Sequence, residues 1–314
     1  MTTPAASAHA VSPAPGGPRR PSQSQRAVAE RTRRTVRRRS IVNSVMAATT
    51  YLAAALAILP LIFILGYLVQ KGASAFSIDF FTKMPVPVGE TGGGMANAIA
   101  GTLLLVGLAC VVGLPVGIGA GLYLAEHRGT RLATAVRFLS DVLNGLPSIV
   151  IGIFAWQLLV RPVGHFSALA GGVALGAMMI PLVTRTTEEM IRTVPNSLRE
   201  AALALGYPRW RTSLSIVLRT ALPGIVTGIL VAVARIAGET APLLFTALGN
   251  LFWSLSPTEP IAALPLQIFE YAKSPYDAWH AQAFAGALVL VALIFTLSLV
   301  ARYVTRSRFG PGAD

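Results

Sequence analysis

The run AIAGTLLLVGLACVVGLPVGIGAGLYL, residues 98–124, contains no charged side chain and is long enough to cross a lipid bilayer as a helix. Similar apolar runs occur at residues 46–70, 144–160, 167–184, 222–247 and 281–304. The chain has 314 residues, of which 54% are hydrophobic and 12% are charged, and its mean hydropathy is +0.63. Such a composition is typical of an integral membrane protein. The sequence therefore predicts an all-α integral membrane protein with six transmembrane helices.

The third run, residues 144–160, is the shortest of these spans and has Leu146-Pro147 near its start. We expect an interfacial helix through residues 134–141 to approach it, and Asn144 to cap the span itself. On this interpretation Asp141 and Asn144 serve the geometry of the helix start.

Arginines are concentrated in four places: before the first run, after the second, after the fourth and after the sixth. The alternate loops carry few basic residues and several acidic ones. Because cytoplasmic loops of membrane proteins keep an excess of Lys and Arg, we expect both termini on the cytoplasmic side of the cell membrane.

Residues 1–40 are rich in Pro, Ser, Ala and Arg and have too few large apolar side chains for a core. We expect a disordered basic cytoplasmic tail there, although a basic helix on anionic membrane lipid through residues 25–45 is the alternative. The remaining order is a first transmembrane helix at 41–72, an external loop at 73–97, a transmembrane core at 98–308 and a short cytoplasmic tail at 309–314. The net charge of +13 does not indicate a nucleic-acid partner, because the basic residues flank apolar runs.

Motifs for catalysis and metal binding are absent from the sequence, which has no HExxH, CxxC or Gly-x-Ser-x-Gly and a single cysteine, Cys110. The cluster Gly92-Gly93-Gly94 lacks the Gly-Lys-Ser/Thr of a phosphate-binding loop. We therefore expect no enzyme activity, no metal and no cofactor, and any ATP would be bound by a partner chain. Gly113, Gly117 and Gly121 recur every four residues, a spacing that favours close packing of helices in lipid.

The largest basic loop contains TVPNSLREAALALGYPRW, residues 193–210, which has the features of a short docking helix. Thr193 can cap its start, and Gly206 can end it in a left-handed conformation. Glu200 lies toward the positive end of the helix dipole. The predicted docking face is small and apolar, and its members are Leu198, Ala201, Ala202 and Leu205. An ordinary surface helix is the alternative.

A different stretch, ARIAGETAPLLFTA at residues 234–247, carries two charges inside an otherwise apolar run. A charged side chain in the middle of a bilayer costs about 2.5–3.5 kcal/mol on insertion scales, which argues that it has a use. We expect Arg235 near the centre of the fifth span, with Glu239 one turn further on and paired with it. A structural brace between helices is the alternative to a functional use of the pair.

The docking loop resembles the EAA loop of ABC importer permeases, because Glu200-Ala201-Ala202 is followed by Gly206, Ile216 and Leu218. In that family the loop, here residues 193–219, docks on the ATPase. One departure is that Leu218 is followed by Arg219, whereas the family pattern has Leu-Pro. Because of this difference, the sequence does not define where the second helix of this cytoplasmic loop, the one after the docking helix, ends.

More specific are GLPSIVIGIFAW at 145–156, RTTEEM at 185–190, GGGMANAIAGTL at 92–103 and ARIAGETAPL at 234–243. Together they resemble the permeases of phosphate-specific ABC importers, in particular the subunit whose Gly-Glu-Thr precedes Ala-Pro-Leu. The resemblance implies a heterodimer with a sister permease, two copies of an ATP-binding subunit, an external phosphate-binding protein and inorganic phosphate as substrate.

For such an anion, an arginine facing the pathway is suitable, since a guanidinium holds two oxygens at once and never loses its charge. The predicted pathway residues are Arg235, Glu239 and, for release toward the inside, Arg185, which could instead only snorkel at the membrane surface. Glu239 would compete with the anion for Arg235. The rival functions are a permease for another oxyanion, such as sulfate or molybdate, and a membrane-embedded enzyme.

Overall fold

The computed structural model describes residues 23–87, 90 and 92–309, and these ranges are helical apart from short connections. Within them the β pairing is limited to one isolated bridge between Leu248 and Ile261. The chain divides into two compact units, Met1–Ile64 and Leu65–Asp314.

Helix α1, Gln23–Gly72, begins in the first unit and ends in the second. In the part of α1 that belongs to the first unit, several apolar side chains, for example Leu52, Ile62 and Phe63, are more than half exposed. Residues 23–40 are helical, whereas the sequence predicted that they belong to a disordered tail. The rest of that predicted tail, residues 1–22, lies outside the described residues, as do residues 310–314 of the short carboxyl-terminal tail.

The second unit contains the remaining helices in a bundle. Two of these helices contain a π-helical segment, at Trp156–Val160 and at Thr212–Val217. The helix continues through each segment with a wider turn. In chain order the helices are α2 Ile78–Thr82, α3 Ala96–Glu126, α4 Arg131–Gly145, α5 Ser148–Val163, α6 Ala168–Arg192, α7 Asn196–Ala204, α8 Arg209–Ala237, α9 Ala241–Thr246, α10 Leu264–Ala272 and α11 Asp277–Phe309.

The centre of this unit is the packing of α3 against α6. A Cβ atom at Gly113 would lie 3.1 Å from the Met179 Cβ, and one at Gly117 would lie 2.8 Å from the Val183 Cβ. At Gly121 the corresponding distance to the carbonyl oxygen of Thr184 is 2.6 Å. The three glycines therefore let the two backbones approach more closely than any larger residue would allow, as their four-residue spacing predicted.

Helices α6 and α8 run antiparallel to each other. Gly224 packs against Met190 and Gly228 against Thr186, so a step toward the carboxyl end of α8 is a step toward the amino end of α6. Continuing this register for seven more residues, about 10 Å, brings α8 to the level of Met179, near the middle of α6. Ala232 and Ile236 indeed share a core cluster with Met179. The carboxyl end of α8 therefore lies at mid-depth in the bundle.

Five of the described helices are long and apolar enough to span a membrane, and a sixth span is formed if α4 and α5 are taken together. This pair bends by 104° at its break. Helix α4 passes through residues 134–141, as predicted, but it continues to Gly145, and Pro147 rather than Asn144 precedes the first residue of α5. Asn144 is therefore not the cap of the third span.

Candidate functional site

The fifth predicted span is broken in the middle. Helix α8 ends at Ala237 and α9 begins at Ala241, so Gly238, Glu239 and Thr240 form a break inside the bundle. The sequence favours a break here, since glycine is a poor helix former and Pro242 has no N–H group to continue the hydrogen-bond ladder of α8. The prediction of one continuous helix through residues 222–247 was therefore wrong.

Arg235 lies in the last turn of α8, directly before this break. Its Nε atom is 4.0 Å from Oε1 of Glu239, and the two side chains are 48% and 21% exposed. The predicted pair is thus present, although it spans the helix break and its separation is at the outer limit for an ion pair. A guanidinium with a distant carboxylate and a half-exposed surface retains free N–H donors for another anion.

A second contact to Arg235 comes from α4. The Nη1 atom of Arg235 donates a hydrogen bond to Oδ1 of Asn144 at 3.4 Å. The sequence predicted that Asn144 only shapes a helix start, and the structure instead places it at the predicted pathway arginine. A single sequence gives no sign of this pairing, because the two residues are 91 positions apart and meet only through the bend after α4.

Arg185, the third predicted pathway residue, lies on α6 and donates from Nε to Oε1 of Glu189 at 2.7 Å. Both side chains are about half exposed, at 53% and 50%. Among the described contacts, none joins Arg185 to Arg235. The structure therefore brings Arg235, Glu239 and Asn144 together and leaves Arg185 apart from them.

Glu188, which precedes Glu189 on α6, was not predicted from the sequence as a site residue. Its side chain is only 1% exposed, and its Oε1 atom accepts a hydrogen bond from Nη2 of Arg137 at 2.6 Å. The same oxygen also accepts from Nη2 of Arg192, one turn further along α6. We call Arg137, Glu188 and Arg192 the Glu188 cluster. It ties α4 to α6 at the end of the bundle that carries the basic loops.

The predicted docking helix is α7, Asn196–Ala204, and its end has the predicted geometry. Gly206 has a φ of +84°, and apart from its chain neighbours no described residue has an atom within 4 Å of the position that a Cβ atom would take there. The N–H group of Tyr207 donates to the carbonyl oxygen of Ala202 at 3.1 Å, which closes the helix end. The start differs, because Pro195 occupies the capping position and the Thr193 hydroxyl donates to Met190 on the preceding helix.

The apolar face of this loop differs from the prediction in two residues. Leu205 is 79% exposed and Leu198 is 41% exposed, whereas Ala202 is only 3% exposed and faces its own chain. Ala201 and Glu200 are exposed, as a docking surface requires. Leu203, which the sequence analysis did not include, is 44% exposed and belongs to the outward surface.

Two features hold the loop on the bundle. Arg199 of α7 donates to a carboxylate oxygen of Glu126 at the end of α3. Within the loop α8 begins at Arg209, and it is continuous to Ala237, including the π-type turn Thr212–Val217. The helix that follows α7 therefore has no separate end, and it merges with the fifth predicted span where the Leu-Pro of the EAA pattern is missing.

The comparisons with known proteins agree with this architecture. The family model described as "Binding-protein-dependent transport system inner membrane component" matches residues 117–309. The "Phosphate transport system permease protein PstA" of Yersinia pestis is 50% identical over 245 residues, which are 78% of this chain and 83% of that protein. The chain belongs to the PstA family of transport permeases.

Other PstA relatives come from further organisms. The "Phosphate transport system permease protein PstA" of Xylella fastidiosa is 47% identical over 268 residues, covering 85% of this chain and 93% of its own length. The "Probable phosphate transport system permease protein PstA" of Methanocaldococcus jannaschii is 38% identical over 253 residues, covering 80% and 89%.

Solved structures resemble the chain in fold. A chain of a bacterial alginate ABC transporter, in complex with an alginate pentasaccharide-bound periplasmic protein, has a TM-score of 0.60 at 15% identity, covering 89% of this chain and 99% of its own. A chain of the inward-facing MetNI methionine ABC transporter has a TM-score of 0.55 at 20% identity, covering 68% and 96%. The PstA chain thus has the fold of the ABC importer permeases.

Proposed function

We propose that this PstA chain is the permease subunit of an ATP-driven importer of inorganic phosphate and forms half of its translocation pathway. The observation that carries the proposal is Arg235, a half-exposed arginine placed at a helix break at mid-depth in the bundle. The phosphate transport permeases among its relatives support the choice of anion.

The surroundings of Arg235 suit an anion that binds and leaves again. A guanidinium offers two parallel N–H donors to a phosphate group and stays charged at any physiological pH. Its contacts within the chain, at 4.0 Å to Glu239 and 3.4 Å to Asn144, are long enough to be displaced. Glu239 then competes with the anion for Arg235 and prevents it from holding phosphate too tightly.

Arg185 has a secondary role in this proposal. It lies on α6 toward the end that carries the basic loops, and its exposed pair with Glu189 stays within one helix. An exposed pair of this kind contributes only about 0.3–0.5 kcal/mol, so the guanidinium can release Glu189 and assist an anion that leaves toward the inside.

The loop at residues 193–219 couples the permease to an ATP-binding subunit. Leu198 and Leu205 expose apolar surface beside Glu200 and Ala201, and the left-handed Gly206 ends the helix without a side chain of its own. Such a short helix fits into a groove on a partner. Two copies of the ATPase bind and hydrolyse ATP, one for each permease.

The orientation follows from the basic loops. We place the Glu188 cluster and α7 at the cytoplasmic side of the cell membrane, together with both termini. A sister permease completes the pathway as a heterodimer, and an external phosphate-binding protein delivers the anion from the opposite side. The exposed apolar surfaces of the helices contact the sister permease and membrane lipid.

The test is uptake of labelled phosphate by proteoliposomes that contain this chain, its sister permease, the ATPase and the binding protein. We expect ATP-dependent phosphate accumulation that excess sulfate or molybdate does not inhibit. Accumulation of labelled sulfate or molybdate in place of phosphate would favour the other oxyanion importers. A lack of ATP-dependent uptake of any of these anions by a fully assembled complex would contradict the proposal.

A further inference from the structure

Helix α4 connects the Glu188 cluster with the site around Arg235. Arg137 contacts Glu188 at one end of the bundle, and Asn144, seven residues later on the same helix, contacts Arg235 at mid-depth. Seven residues are close to two full turns, so both side chains lie on one face of α4, about 10 Å apart. The same rigid helix therefore carries the anchor and the contact to the pathway arginine.

The anchor is the stronger of the two contacts. Glu188 has a 1% exposed side chain, and its bond to Arg137 is short, at 2.6 Å. A carboxylate buried to this extent is held firmly by its partners, because losing one of them weakens the compensation of its buried charge. The Asn144 contact is longer, at 3.4 Å, and both of its side chains are exposed. Its geometry therefore depends on where the anchor places α4.

We propose, on the basis of the pathway role of Arg235 given above, that the Arg137–Glu188 pair positions α4 so that Asn144 orients the Arg235 guanidinium toward the anion. Arg137 and Glu188 are positioning residues, and they act through Asn144 without touching the substrate. Since the anchor lies beside the coupling loop, a movement of the loop that shifts α4 changes the orientation of Arg235 at mid-depth.

The Glu188 cluster provides its own matched control. Arg137 and Arg192 bond to the same oxygen of Glu188, but Arg192 lies on α6 itself and Arg137 lies on α4. Replacing either arginine by glutamine removes one charge and leaves Glu188 with one arginine. Only Arg137→Gln releases α4.

The experiment measures the KM for phosphate in uptake by the complete complex, after assembly has been confirmed by co-purification with the ATPase. We expect Asn144→Ala and Arg137→Gln each to raise this KM about tenfold, the order of one lost hydrogen bond to a charged group. Arg192→Gln changes the KM by less than about twofold, and Arg137→Lys, which keeps a cation for Glu188, restores most of the affinity.

The double variant Arg137→Gln/Asn144→Ala separates positioning from general structural support. If Arg137 acts through Asn144, the double variant has the KM of either single variant, about tenfold above the unchanged protein. A KM increase of about a hundredfold, the product of the two effects, would overturn the proposal. An equal effect of Arg192→Gln, or an unchanged KM in Arg137→Gln, would do the same.

A second anchor variant covers the case in which Arg137→Gln does not assemble. Glu188→Gln keeps an oxygen acceptor between the two arginines and must give the same non-additive pattern with Asn144→Ala. If both anchor variants fail to assemble while Arg192→Gln assembles normally, the pair is a structural brace and the proposal is wrong. Unchanged uptake in Arg235→Gln would instead contradict the proposed pathway itself, so the two failures are distinguishable.

Discussion

Glu188 and Glu239 both contact arginine side chains, but their surroundings differ. Glu188 is 1% exposed. It accepts a hydrogen bond from Arg137 of α4 at 2.6 Å and another from Arg192 of its own helix, α6. Glu239 is 21% exposed and lies 4.0 Å from Arg235, beside a helix break. The first arrangement fixes the position of two helices, whereas the second leaves an arginine available for exchange. The comparison shows that the role of a charged side chain in this bundle depends on its partners and its burial, and not on its presence alone.

The largest effect is expected from removing the buried carboxylate. Glu188→Ala leaves Arg137 and Arg192 facing each other without an acceptor, and we expect a loss of roughly 2–3 kcal/mol in stability. This is below the 3–5 kcal/mol of a fully buried pair, because the two arginines are 32% and 40% exposed. Thermal unfolding of the purified complex measures the loss. Equal destabilisation by Glu239→Ala would remove the difference between the two carboxylates.

A change that touches neither carboxylate tests whether coupling is a separate property. Gly206→Asp places a side chain on a residue with a φ of +84° and a charge beside the exposed Leu205. We expect about 1 kcal/mol of backbone strain and loss of ATPase binding or of coupled uptake. Gly129→Asp, at a φ of +79° in the loop before α4, introduces a similar strain outside the coupling helix.

The readouts for these two glycine variants are co-purification of the ATPase and phosphate uptake. We expect Gly129→Asp to retain both. Normal retention and uptake in Gly206→Asp would show that residues 193–219 are not the coupling loop.

The smallest effect is expected at Arg185, whose pair with Glu189 is exposed on both sides. Arg185→Gln should lower the initial rate of phosphate uptake by about two- to threefold, because an exposed pair contributes less than 1 kcal/mol. Assembly should be unchanged. A loss of uptake as complete as that of Arg235→Gln would place Arg185 in the main anion site and extend the pathway to α6.

Hydropathy was sufficient to predict the continuous spans in α1, α3, α6 and α11, because an uncharged run of about twenty residues has few other stable conformations. The glycine spacing on α3 likewise predicted its packing against α6. The break after Ala237 was not predicted, although Gly238 and Pro242 are the local signals for it. Residues 222–247 have the composition of one span and were therefore interpreted as one helix. Composition alone does not show where the backbone hydrogen bonds of a helix end.

The candidate site was predicted in part for a related reason. Arg235 and Glu239 were found because charges are rare in apolar runs, whereas Glu188 lies among other charges at the end of α6. Four charged residues within eight positions do not show which of them faces a neighbouring helix. Asn144 was assigned to a helix start because its contact to Arg235 depends on the 104° bend between α4 and α5, which is a tertiary feature.

The central claim, that Arg235 handles the anion, is tested most directly by the double variant Arg235→Gln/Glu239→Gln. The single variant Arg235→Gln leaves the Glu239 carboxylate without its arginine, so it can fail through lost anion binding or through a stranded charge. The double variant removes that charge and should assemble normally, as measured by co-purification with the ATPase. We predict that phosphate uptake by the same complexes in proteoliposomes is absent, whereas near-normal uptake by the assembled double variant would contradict the claim and leave the pair as a structural brace.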